Sequence, residues 1–250
     1  MKIIRITVAV IIILPVLRVF GLAAIIIGGL LNLLHLRKAA DSIVHFLLTF
    51  VVYWIFFGLG VIFHVEGKEN LPKKGEKVCY VPNHQSMVDI PAVFGAGMWS
   101  GVIAKAEVKN IPMIHGLLYV LHCVTIKRTS PRDSIKAIHD GIRNIENGIP
   151  MTIFPEGTRS RTGEIAAMKA GSFKMATRAK AKVVPVVLKN TRDALESADS
   201  FRPVHVYVSI LPAIDTADMD DEEIKELHNA VEERIRKEYA LLPDKRGRNA

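Results

Sequence analysis

Apolar side chains are spread unevenly along the 250 residues. Residues 3–36 are a long hydrophobic stretch interrupted by Arg18, and residues 42–65 form a second one without a formal charge. The segment "RKAAD" (37–41) separates them. Each stretch is long enough for a helix of about 20 residues that crosses a bilayer. The pattern therefore predicts an N-terminal, membrane-embedded two-helix hairpin over residues 1–65. A cleaved signal peptide does not fit: the apolar stretch is too long, no clear cleavage site follows, and a second apolar segment comes at once. A hairpin buried in a protein core is the alternative. Residues 19–36 could span the bilayer, with Arg18 at one interface and Arg37 and Lys38 at the other. Basic residues at both ends leave the orientation rule undecided. In the second arrangement the first helix bends at Pro15 and both helices dip into one leaflet. An arginine at mid-bilayer costs roughly 2.5–3.5 kcal/mol. That disfavours a span centred on Arg18, so the one-leaflet hairpin is the expectation.

From residue 60 onward, short β-branched runs alternate with helical patterns. The strand candidates are 61–66, 77–82, 100–105, 122–127, 150–154, 183–188 and 204–210. Helices are expected at 87–98, 111–121, 131–147, 168–180 and 221–240. The helix at 131–147 is well marked by Ser130 as N-cap, Pro131 at its first position and an apolar stripe of Ile135, Ile138, Ile142 and Ile145, with Gly148 ending it. Strands alternating with helices predict an α/β fold, a mixed and largely parallel sheet flanked by helices, over residues 66–240. Residues 241–250, "LLPDKRGRNA" at their fullest, read as a disordered tail.

Charge sharpens the picture. The net charge is +8, and residues 67–214 alone hold +9 from 21 basic and 12 acidic side chains. A basic block beside a greasy anchor points to an anionic membrane surface or a phosphate-bearing substrate. Nucleic acid is disfavoured, because no binding motif is present and the chain opens with membrane sequence. Cys79 and Cys123 both lie in short apolar runs, which predicts buried free thiols. Neither HExxH nor any other metal-ligand spacing occurs among the nine histidines, so no metal is expected.

The segment "VPNHQSMVDI" (81–90) places His84 and Asp89 five positions apart. Along a strand that spacing separates them by roughly 16–17 Å. Along a helix it turns them about 140° apart. They meet only if the chain bends between them. The strand 77–82 ends at Pro82, and "SMVD" matches a capping box with Ser86 as N-cap and Asp89 at the third helical position. His84 then lies in the turn ahead of the helix, within reach of Asp89. A carboxylate on one imidazole nitrogen leaves the other free as a general base. The alternative is a capping Asp89 and an ordinary loop histidine. Without a G-x-S-x-G elbow, the pair fits direct transfer, in which a bound hydroxyl is deprotonated and attacks an acyl group.

A second cluster, "FPEGTRSRTG" (154–163), is another strand running into a tight turn. Arg159 and Arg161 project from that loop, and guanidinium forks grip oxyanions bidentately. Lys105 and Arg128 stand at the ends of other expected strands. In a parallel sheet these ends gather on one edge, where α/β folds place their sites. Solvated surface charge is the alternative for each of them.

These residues resemble the glycerolipid acyltransferase family, of the 1-acylglycerol-3-phosphate acyltransferase type. "NHQSMVD" matches its first motif, NHxSxxD; "FPEGTRS" matches its third; "VVPVVL", with Pro185, matches its fourth. The segments "AKAEVKNIP" and "MKAGSFKMA" look like those that stand between these motifs. The likeness covers about residues 78–190. The second motif, near G-x-I-F-I-x-R in the family, departs here: "HCVTIKR" has His122 for the glycine and Thr125 for the aromatic, and keeps Arg128.

The resemblance implies transfer of a fatty acyl group from a thioester of acyl carrier protein or coenzyme A to the sn-2 hydroxyl of lysophosphatidic acid, giving phosphatidic acid. His84 would be the base and Asp89 its orienter. Backbone N–H groups near Ser86 would face the oxyanion, and Glu156 would hold the acceptor's glycerol or brace the site. The turn Glu156, Gly157, Thr158 and Arg159, with Arg128 and Lys105, would bind the acceptor and its phosphate. No cofactor is implied, and the place of action would be the cytosolic face of the inner membrane. The altered second motif keeps open glycerol 3-phosphate or another lysophospholipid as acceptor. A non-catalytic basic membrane-binding module is the alternative of another class.

Overall fold

The computed structural model describes residues 2–73, 75–127, 131–197 and 202–248. The first apolar stretch forms a rod: α1 (Lys2–Val16), a π-helical turn at Leu17–Gly21, and α2 (Leu22–Leu33). The π turn begins two residues after Pro15, which has no N–H to donate to the helix. A tight turn with His35 at φ 58° reverses the chain into α3 (Arg37–Gly58). By length and composition the rod and α3 are each able to cross a membrane.

α3 has two apolar faces with different partners. Ala40, Val44, Leu48, Val51, Val52 and Phe56 recur at helical spacing and are buried. All but Ala40 share one hydrophobic cluster with Val78, Tyr80, Val93, Val184 and Val206 of the α/β body. On the other side Phe46, Tyr53 and Phe57 are each about 60% exposed. The hairpin is thus packed along α3 against the body, with a broad greasy surface turned outward. Two polar contacts join the parts as well: His122 Nε2 to Asp41 Oδ1 at 2.8 Å, and the stacked rings of His45 and Trp99 at 4.7 Å.

The body is built on a seven-stranded mixed sheet. Its strands are β1 (Val61–Glu66), β2 (Val78–Pro82), β3 (Gly101–Lys105), β4 (Val124–Ile126), β5 (Met151–Thr152), β6 (Lys182–Lys189) and β7 (Val204–Ile210). Their spatial order is β1-β7-β6-β2-β5-β3-β4. All neighbours are parallel except β6 and β7. The expected largely parallel α/β sheet is therefore present, with β1 an edge strand of it. Because β2, β3, β4, β5 and β6 all point one way, their carboxyl ends open onto one edge.

Helices cover both faces. α4 (Asp89–Gly95) packs with the hairpin on one side. α6 (Pro131–Glu146), α7 (Ala170–Arg178) and α9 (Asp221–Leu241) cover the other, where Ile145, Phe173, Met175, Leu227, Val231 and Ile235 fill a second core. α5 (Pro112–Val120) lies against α2, and the one-turn α8 (Thr191–Ala194) follows β6. Asp220 and Glu223 form a full capping box at the start of α9.

Elements end where backbone partners run out. β5 has two ladder residues instead of the five expected, because the chain turns off at Pro155; Ile153 N still donates to Tyr80 O at 3.0 Å. Ser130 lies outside the described residues, as does Arg128. The segment read as a tail continues past α9 with Leu242 buried and Lys245 O accepting from His205 N at 3.1 Å; residues 249–250 lie outside the described residues.

Two adjacent glycines in α2 test the hairpin's packing. A Cβ at Gly28 would stand 2.5 Å from Val44 Cγ2 and 3.3 Å from Val120 Cγ1, whereas one at Gly29 meets nothing within 4 Å. Overpacking costs about 1–3 kcal/mol. Gly28→Leu should lower the melting temperature in detergent well below that of Gly29→Leu; equal melting would show that α2 is not tightly seated on α3 and α5.

Candidate active site

At the carboxyl end of β2 the chain is pinned before it turns. Buried Asn83 bonds β6 twice, donating to Leu188 O at 2.9 Å and accepting from Leu188 N at 2.7 Å. The chain then bends through residues 84–88 and enters α4 at Asp89. The Asp89 side chain, fully buried, gathers four donors. Its Oδ2 accepts from Gln85 N at 2.7 Å and Ser86 N at 2.8 Å, and faces His84 Nδ1 at 2.7 Å. Its Oδ1 accepts from Thr191 Oγ1 at 2.5 Å, from the turn after β6. His84 and Asp89 are thus brought together by the expected bend, although the helix starts later than the sequence suggests. Val88, not Ser86, is the N-cap residue.

The His84 ring stacks on Phe154 with centroids 4.0 Å apart. Its side chain is 17% exposed. With Nδ1 held by Asp89, Nε2 has no protein partner among the described residues, and the ring lines a cavity of about 370 Å³. The other walls are mostly apolar, including Ile103, Ile126, Ile138, Ile153 and Met175.

After β5, Glu156 braces the two loops against each other. Oε1 accepts from His84 N at 2.6 Å and Oε2 from Ala166 N at 2.9 Å. Burial pushes the Glu156 carboxyl above the usual glutamate range, opposed by the Ala166 and His84 N–H groups. Gly157 has φ +76°, a left-handed conformation that turns the chain sharply behind Glu156. Both Glu156 oxygens are occupied by backbone, so the arrangement favours bracing over holding a substrate's glycerol.

The remaining sequence candidates are less gathered. Arg159 is half-exposed and its Nη1 stands 3.5 Å from Glu196 Oε1. Lys105, at the end of β3, is exposed and pairs with Glu107 at 3.1 Å. Thr158 is exposed. Pro185 sits mid-strand in β6 opposite Val81, and its carbonyl accepts from Leu211 N at 3.0 Å. The N–H groups around Ser86 are all engaged within the protein: Gln85 and Ser86 on Asp89, Met87 on Glu196 at 2.9 Å, and Val88 on Ser86 Oγ at 3.0 Å. They are not free to face an oxyanion, because the loop uses them to hold its own carboxylates.

His122 has a structural explanation. It adopts φ +55°, a backbone conformation that suits the glycine of the resembled motif and that histidine tolerates better than most residues. Its ring bonds Asp41 of the hairpin. Sequence reasoning missed Thr191 and Glu196, which touch the loop only through tertiary packing. It also passed over Lys169, in "MKAGSFKMA", which lines the cavity beside Gly157. A lone lysine between two motifs gave no spacing signal.

A family model described as Acyltransferase matches residues 62–189. A 1-acyl-sn-glycerol-3-phosphate acyltransferase of Borreliella burgdorferi is 30% identical over 185 residues, 73% of this chain and 74% of that protein. A chloroplastic enzyme of the same name from Arabidopsis thaliana is 34% identical over 128 residues, 51% of this chain. The chain spans 36% of that plant relative's length. The crystal structure of the 1-acyl-sn-glycerophosphate acyltransferase PlsC from Thermotoga maritima superposes with TM-score 0.77 at 27% identity, covering 96% of each chain.

Glu156→Gln tests the brace. An amide must turn its NH₂ toward one of the two backbone donors, leaving that N–H unsatisfied at a cost of about 1–3 kcal/mol. The variant should unfold at lower denaturant concentration in detergent. Unchanged unfolding would show that Glu156 does not hold the two loops together.

Proposed function

Because the chain belongs to the glycerolipid acyltransferase family, we propose that it transfers a fatty acyl group from an acyl thioester to the sn-2 hydroxyl of lysophosphatidic acid, forming phosphatidic acid. The observation that carries this reading is the 2.7 Å contact of His84 Nδ1 with Asp89, which leaves Nε2 for the cavity. The names of the related enzymes supply the acceptor.

The step balances without a covalent acyl-enzyme. His84 Nε2 takes the proton of the acceptor hydroxyl while its oxygen bonds the thioester carbonyl carbon. The carbonyl π pair moves onto oxygen. When the tetrahedral centre collapses, the C–S bond breaks and the leaving thiolate receives the proton from the imidazolium. Asp89 holds the ring and favours its charged form during the transfer. It acts as an orienter, with its own four bonds fixing it in place.

The apolar cavity beside His84 suits an acyl chain, whose burial is worth about 0.8 kcal/mol per CH₂. Arg159, with Lys105 at the end of β3 and with Arg128, which lies outside the described residues, binds the acceptor's phosphate. The acyl donor is a thioester of acyl carrier protein or coenzyme A, both acidic partners for a basic body. The hairpin's outward apolar face seats the body on the bilayer at the cytosolic side of the inner membrane. There the acceptor's chain stays in lipid during the reaction.

The test is an acyl-transfer assay in detergent micelles with product mass identified. Wild type should form phosphatidic acid, and His84→Ala should fold and lose about 10²–10⁴-fold in rate. Undiminished transfer by His84→Ala would sink the mechanism. Equal turnover of an acceptor lacking a phosphate monoester would remove the phosphate-binding role of the arginine loop.

A further inference from the structure

The Lys169 side chain has no hydrogen-bond or ion-pair partner among the described residues, yet it lines the same cavity as His84. Its Nζ lies over the turn after β5: a Cβ built on Gly157 would stand 2.9 Å from it. The absence of a side chain at 157 is what makes room for the ammonium there. The other site cations are placed differently. Arg159 faces Glu196, whose carboxylate also holds Ser86 Oγ and Met87 N. Lys105 faces Glu107. Among these three, Lys169 alone brings a positive charge to the cavity wall without a carboxylate beside it.

The reaction proposed above creates one new negative charge, on the former carbonyl oxygen of the thioester. The N–H groups of Gln85, Ser86, Met87 and Val88 are committed elsewhere. His84 and Lys169 both line the apolar cavity that suits the acyl chain, so a thioester bound there with its carbonyl at His84 has the Lys169 ammonium in the same cavity. We propose that Lys169 is a further catalytic residue, whose ammonium stabilises the oxyanion of the tetrahedral intermediate as His84 removes the hydroxyl proton. This rests on the acyl-transfer reading. Charge that develops only in the transition state is where such a donor raises kcat and leaves binding unchanged.

The experiment compares wild type, Lys169→Met, Lys169→Arg and Lys169→Cys with lysophosphatidic acid and an acyl thioester in micelles. Lys169 is exposed, so the variants should melt as wild type does. Lys169→Met should lower kcat by about 10²–10³-fold, with KM for each substrate within about threefold. Lys169→Arg should recover part of the loss. Treating Lys169→Cys with 2-bromoethylamine rebuilds a cationic side chain of similar length and should restore activity. Burial pushes the Cys79 thiol up to about 12 and Cys123 up to about 11, which slows their alkylation; wild type treated with the same reagent is the control. A loss confined to KM for lysophosphatidic acid would overturn the proposal in favour of phosphate binding, and one confined to KM for the thioester in favour of donor docking. Unchanged kinetics, or no recovery on alkylation, would also overturn it. An active wild type with an unaffected Lys169→Met sinks this inference alone; a wild type that transfers no acyl group sinks the functional reading with it.

Discussion

The buried carboxylate of Asp89 is the constraint around which the site is organised. A fully buried charge is tolerable only when its lone pairs are filled, and here four donors fill them. Two are backbone N–H groups of the loop, one is the His84 ring, and one is a hydroxyl from the turn after β6. The same bonds that make the charge tolerable fold the loop, orient the imidazole and tie two parallel strand ends together. The proposed chemistry and the local fold share one hydrogen-bond network.

Around that centre the sheet does the gathering. Parallel strands β2, β5 and β6 deliver the His84 loop, the Glu156 turn and Thr191 to one edge. Asn83 and Glu156 then lock neighbouring loops to each other through main-chain groups. Main-chain partners make this bracing insensitive to which side chains flank it. Arg159 and Lys105 stand farther out, at exposed positions, each beside a carboxylate.

Much of this was legible in the sequence, for physical reasons that can be named. Seven β-branched runs gave the seven strands, and their alternation with helices gave the largely parallel sheet. The His84–Asp89 contact followed from spacing, since only a bend can close five residues. What escaped depends on packing between distant segments. Thr191 and Glu196 meet the loop from more than 100 positions away, and no local pattern announces them. Ser86 looked like a helix cap, but Asp89 draws the preceding N–H groups to itself and moves the helix start to its own position. His122 looked like a damaged motif; its left-handed backbone and its bond to Asp41 show a position that serves the hairpin. Lys169 was invisible because its meaning lies in what it faces.

The apolar cluster common to α3 and the sheet has a mechanical corollary. Only Leu59 and Gly60 separate α3 from β1, and the shared cluster packs the anchor directly on the body. If the outward apolar face rests in a bilayer as proposed, the height of the imidazole over the lipid plane is a property of the fold, as fixed as the distance between two strands. On the proposed seating, a lipid acceptor would reach the site by lateral diffusion at that one depth, and a water-borne donor would come down to meet it.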